Sequence, residues 1–148
     1  MKSLLRLATL ATVLNLTLIS PVRAQTGQAT GACGWMPVDN GAKAHFGGFA
    51  DVTDGGLPTG YLIYRDPDVN LSLRSIEITN VTNIGCLTTM TGNAHTNHGL
   101  VSFMVNMQDN GTPGKGVDTF EITIPDLGYS RSGTLGGGEI DRDGLTCP

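Results

Sequence analysis

The sequence predicts an all-β fold, either an antiparallel β-sandwich or a partly closed barrel of short strands. Three observations carry that expectation. Short runs of β-branched and aromatic residues alternate with a period of two, glycine-rich turns separate them about every ten residues, and no segment shows the apolar period of an amphipathic helix. Strands that follow one another without intervening helices favour antiparallel pairing over a parallel α/β sheet.

The chain opens on Lys2 and Arg6, then an apolar run from Leu7 to Ile19, and Val22 and Ala24 flank Arg23 in the small-x-small pattern of a signal peptidase site. Residues 1–24 are therefore expected to be a signal peptide cleaved before Gln25, and the protein to be secreted or periplasmic. The apolar run is shorter than the roughly 18 to 20 residues that span a bilayer, and no later segment approaches that length, so no transmembrane segment is expected. Residues 25–32 read as a flexible leader and residues 33–148 as a single β-domain. Removing 24 of 148 residues leaves 124, enough for one core.

Within the domain, Ala44, Phe46, Ala50 and Val52 share one face of a strand spanning Ala42 to Val52, with a bulge expected at Gly47-Gly48. Tyr61 to Tyr64 follows a Gly-Gly-Leu-Pro-Thr-Gly turn, and Leu71, Leu73, Ile76 and Ile78 mark the next apolar alternation. The clearest strand is Val101 to Met107, with Val101, Phe103, Val105 and Met107 pointing inward. Phe120, Ile122 and Ile124 repeat that arrangement, and the turn-rich stretch Asp109 to Asp118 joins the two as a long-looped hairpin.

Charge limits the partners. Lys2, Arg6 and Arg23 leave with the signal, so nine basic residues fall to six against 13 acidic ones and the net charge moves from −4 to about −7. That sign argues against nucleic-acid binding, and the scattered cations argue against simple attachment to anionic lipid. Of three cysteines in an oxidising compartment, one is left over. Cys33 and Cys147 lie near the two ends of the expected domain, so a Cys33–Cys147 bridge is expected to clasp the ends, with Cys86 reduced inside the sheet.

No residue set meets the requirements of a hydrolase, which needs a nucleophile or activated water, a base and a stabiliser of developing charge. His45 reads as a polar-face strand residue. His95 and His98 have a spacing that lets two imidazoles reach one zinc or copper ion, but the helix-borne glutamate of metalloproteases is absent and a polar hairpin tip is the plainer reading. Asp66 with Asp68, and Asp141 with Asp143, look like glycosidase pairs only by adjacency. The sharpest site is the loop that gathers side-chain oxygens of Asp109, Asn110, Thr112 and Asp118, a candidate calcium site whose spacing is not that of an EF-hand and whose residues also make a good turn. Trp35, Phe46, Phe49, Tyr61 and Tyr64 are the aromatics of either a carbohydrate platform or a core.

Four strings in order carry a resemblance: Gly34-Trp35-Met36-Pro37-Val38, Ala42-Lys43-Ala44-His45-Phe46-Gly47-Gly48-Phe49, Asp109-Asn110-Gly111-Thr112-Pro113-Gly114 with Val117-Asp118-Thr119-Phe120, and Leu135-Gly136-Gly137-Gly138-Glu139-Ile140. Together they resemble the β-rich domain of bacterial secreted and surface proteins found after choice-of-anchor regions, the post-choice-of-anchor domain family. The polar stretch Asn93 to His98 and the tail Asp141 to Cys147 depart from its pattern. The resemblance implies an export-linked β-domain with no established catalytic role. The expected function is thus a non-catalytic extracellular module for surface recognition or structural packing, with an extracellular ligand or surface partner. The alternatives are a calcium-stabilised ligand or carbohydrate binder, and then a secreted hydrolase.

Overall fold

Alternation of apolar and polar side chains over most of the domain leaves the chain one way to bury its apolar set, as a sheet with one inward face. The computed structural model describes residues 28–147; the expected signal peptide and the first part of the leader lie outside the described residues. Nine strands form one antiparallel sheet: β1 (Thr30–Pro37), β2 (Lys43–Val52), β3 (Pro58–Asp66), β4 (Leu71–Ile84), β5 (Leu87–Thr96), β6 (Gly99–Gln108), β7 (Thr119–Ile124), β8 (Tyr129–Thr134) and β9 (Gly137–Arg142). Their order across the sheet is β8-β7-β6-β5-β4-β3-β2-β1-β9, a meander in which only the last strand crosses over to pair beside β1. Two single 3-10 turns, Asp39–Gly41 and Pro125–Leu127, are the only helical segments among the described residues, and no helix there is long and apolar enough to cross a membrane.

The sheet curls on itself as a half-barrel, so of the two expected architectures the partly closed barrel describes it. Inward side chains of β2 and β3 meet those of β7 across the interior, where the Phe46 and Phe120 rings stack with centroids 4.0 Å apart and Tyr64 lies 6.1 Å from Phe120. Phe103, Val105, Phe120 and Ile122 are buried on neighbouring antiparallel strands, as the alternation requires. Gly92 faces inward on β5, and a Cβ there would meet the Phe103 ring at 2.9 Å. The glycine makes room for the ring.

Three local expectations change. The pairing of β2 runs unbroken through Gly47 and Gly48 to both neighbours, so the expected bulge is absent there. The irregularities fall on β4 instead, between Ser75 and Glu77 and between Ile78 and Asn80, which shifts the alternation and leaves Ile76 exposed while Leu71 and Leu73 are buried. The leader expected through residue 32 ends earlier, because Thr30 and Ala32 are buried in β1; the Thr30 hydroxyl lies 2.6 Å from that of Thr88.

The expected Cys33–Cys147 bridge is also corrected. Cys86, in the turn between β4 and β5, is bonded to Cys147, and Cys33 is the free cysteine. The register explains it. Cys33 lies mid-strand on the outer face, opposite Gly47 and Glu139, whereas the tail leaves β9 at Arg142, whose partner is Thr30, and runs under the β4–β5 turn. Arg142 is buried there, with its guanidinium donating to the Gly85 carbonyl and, at 2.9 Å, to the Gln28 side chain.

Candidate functional site

Three groupings of polar or aromatic side chains emerge from this sheet. The first links β3 to β8. Asp66, at the end of β3, is fully buried, and one of its oxygens accepts from Tyr129 Oη at 2.7 Å and from Arg131 Nε at 3.0 Å, both on β8. Arg131 also reaches Asp68 at 3.0 Å and Asp39 at 3.3 Å, and Tyr64 and Tyr129 share a hydroxyl contact of 2.5 Å. Burial and the neighbouring hydroxyl push Tyr64 above the ordinary phenol range, and burial leads the rise of Tyr129 to about 12. Burial alone would pull Arg131 down, but its bonds to Tyr129 and Asp66 and the adjacent carboxylate charge hold it firmly protonated. Neither tyrosine ionises at neutral pH. The cluster that sequence adjacency presented as Asp66 and Asp68 is an ion-paired seam between β3 and β8, with every one of its charged groups satisfied.

The second grouping is the Asp109 to Asp118 loop. Both carboxylates are buried, and each of their oxygens already accepts a backbone N–H: Gly111 and Arg142 on Asp109 at 3.0 and 3.2 Å, Asn110 and Ile140 on Asp118 at 2.8 Å each. Asn110 donates its amide to the Val117 carbonyl at 2.8 Å, and Thr112 stands exposed at the loop tip. Burial raises the Asp118 carboxyl against the pull of its two backbone donors. The four residues named as calcium ligands thus lie in one loop, but Thr112 is exposed while the two carboxylates are buried, and a cation there competes with four backbone donors. Among the described residues, no group of three or more His, Cys, Asp or Glu side chains converges on one point.

The third grouping is on the outside. The aromatics divide by strand parity: Phe46 and Tyr64 are core, whereas Phe49 and Tyr61 pair edge-to-face on the outer surface at 5.2 Å between centroids and are 37% and 47% exposed. Trp35 is on the same face, with the Lys43 ammonium 4.1 Å above its ring. Ile63, Ile76 and Leu100 extend this exposed apolar set across β3, β4 and β6. His45 is exposed beside Arg65, His95 faces Arg74 and Leu100, and His98 lies in the β5–β6 turn, so the three imidazoles do not form one cluster. Asp141 and Asp143 are exposed at the end of β9.

Sequence reasoning missed Tyr129 and Arg131, because nothing local to Tyr129-Ser130-Arg131 marks a partner 65 residues away. It also missed the outer cations, which only register brings together. Compared with known proteins, the chain matches no family model, no curated protein and no solved structure.

Proposed function

We propose that this protein is a non-catalytic, secreted or periplasmic β module that works by recognition through its outer face. The observation that carries the reading is the division of labour between the two faces. Inside, the buried carboxylates Asp66, Asp109 and Asp118 are all engaged in bonds that hold strands and loop together. Outside, large apolar side chains from adjacent strands stand exposed together, led by Phe49, Tyr61 and Ile63. Exposed apolar groups in one contiguous area mark contact surfaces more often than scattered single ones do. The export signal expected at residues 1–24, and the four ordered strings similar to a domain of bacterial surface proteins, agree with a role outside the cytoplasm.

Co-sedimentation of the purified protein with the insoluble envelope fraction of the producing cell tests this reading. Retention is expected, falling at least tenfold in the Phe49→Ala/Tyr61→Ala variant. A protein that stays in the supernatant, or that turns over ester, glycoside or peptide substrates, contradicts it.

A further inference from the structure

We propose that a groove on the outer face of β9, β1, β2 and β3, flanked by Arg74 of β4, binds an acidic polysaccharide, a chain of carboxylate-bearing sugars; the proposal deepens the recognition reading and rests on it. Six basic residues follow Arg23 in a chain with 13 acidic ones. Arg131 is held by three aspartates and Arg142 is buried. Lys43, Arg65, Arg74 and Lys115 are exposed, and none of them forms an ion pair among the described residues. Three of these four stand together.

His45 pairs with Arg65 and Ile63 with Arg74, so Lys43, Arg65 and Arg74 follow a diagonal that advances one strand and two residues at each step. With strands about 4.8 Å apart and about 3.4 Å per residue, each step is about 8 Å. Two shallow depressions meet on this line at His45 and Arg65, one of about 490 Å³ and one of about 430 Å³. Gly47, Gly137 and Gly138 line the larger one, so part of its wall carries no side chain, and Trp35 and Ile63 border it.

The chemistry fits a carboxylated sugar chain. Guanidinium groups bind carboxylates through paired N–H donors, and the exposed rings of Phe49 and Tyr61, two residues along from Gly47 and Ile63, offer an apolar face to the C–H side of a sugar; Trp35 itself is covered by Lys43 and by Gly136 and Gly137. Spaced cations suit a polymer whose charges recur at regular intervals. Three cations fall short of the clusters that hold proteins on nucleic acid or on anionic bilayers. An extended peptide docks by adding a strand to an open sheet edge, but β1, β2 and β3 are each already paired on both sides.

Calorimetric titration of the purified protein with polygalacturonate at low salt tests the proposal, with dextran, polyglutamate and phosphatidylglycerol vesicles as comparisons. Binding to polygalacturonate alone is expected. It should weaken at least tenfold in Arg65→Gln/Arg74→Gln and in Gly47→Leu, and stay unchanged in Lys115→Gln. A side chain at Gly47 meets no atom within 4 Å of its Cβ, so Gly47→Leu obstructs the groove and should melt like the parent. No heat with polygalacturonate, undiminished binding in a folded Gly47→Leu variant, or equal heats from polyglutamate or vesicles overturns the groove. Envelope co-sedimentation that persists in Gly47→Leu also overturns it, leaving the recognition reading intact. Failure of the parent to co-sediment defeats that broader reading, and the groove, which rests on it, falls with it.

Discussion

At the scale of single residues, buried charge decides most of what can be predicted. Asp118 uses both oxygens to accept backbone N–H groups from Asn110 and Ile140. In Asp118→Asn an amide NH₂ must face one of those donors, so the variant should lose about 1 to 3 kcal/mol, read from urea midpoints. Because burial raises the folded carboxyl above its ordinary value, the native state holds that proton more tightly than the unfolded chain. The Asp118 contribution is therefore fully present below the ordinary carboxylate value and lost as pH rises through the raised one. The stability difference between parent and Asp118→Asn should shrink over that window; a difference that grows with pH contradicts the assignment. Arg131→Ala leaves Asp66 buried beside Tyr129 without its guanidinium and should cost about 3 kcal/mol or more. Arg131→Lys keeps a charge but loses the fork, and its thermal melting should fall between those of the parent and the alanine variant.

At the scale of strands, the most regular elements were also the most legible. β6 and β7 alternate without interruption, and their inward residues could be named from the sequence. Phe103→Ala and Phe120→Ala should each cost about 3 to 5 kcal/mol in equilibrium unfolding, and a loss below about 1 kcal/mol would place the ring in solvent. Gly92→Ala sets a methyl against the Glu77 carbonyl and the Phe103 ring, so it should destabilise by about 1 to 3 kcal/mol even though alanine suits a strand no worse than glycine. Where legibility failed, the cause was local. The first shift of register on β4 reverses the parity of its side chains and the second restores it before Val81, and nothing in Ser75 to Asn80 announces them. The start of β1 looked like a leader because Thr30-Gly31-Ala32 has no bulky apolar residue, yet its burial comes from β2 and β9 on either side.

For the whole molecule, alternation says which side chains face inward but not what lies opposite them, so a sandwich and a curled sheet read alike in the sequence; the unbroken pairing of all nine strands in one sheet distinguishes them, and the Phe46–Phe120 stack is what that curl brings together. The cysteine pairing was hidden for a related reason: closeness to the chain ends suggested a clasp, but the register of β1 turns Cys33 outward and carries the tail to Cys86. Peptide mapping should recover the Cys86–Cys147 link, and a thiol reagent should label Cys33 in the native protein. The bridge closes a separation of 61 residues, so Cys86→Ser/Cys147→Ser should lose about 4 kcal/mol if chain entropy dominates. The candidate surface was the least legible part, because Lys43, Arg65 and Arg74 are distant in sequence and meet only through the pairing of β2, β3 and β4. In the proposed division the interior holds shape and the outer face binds, and one paired measurement separates the two. Melting and envelope co-sedimentation are compared for Phe49→Ala/Tyr61→Ala and for Arg131→Ala, below the melting point of each. The outer variant should melt near the parent and lose retention at least tenfold, and the interior variant should melt lower and keep its retention. Retention lost in the folded Arg131→Ala variant, or kept in the outer one, would contradict the account.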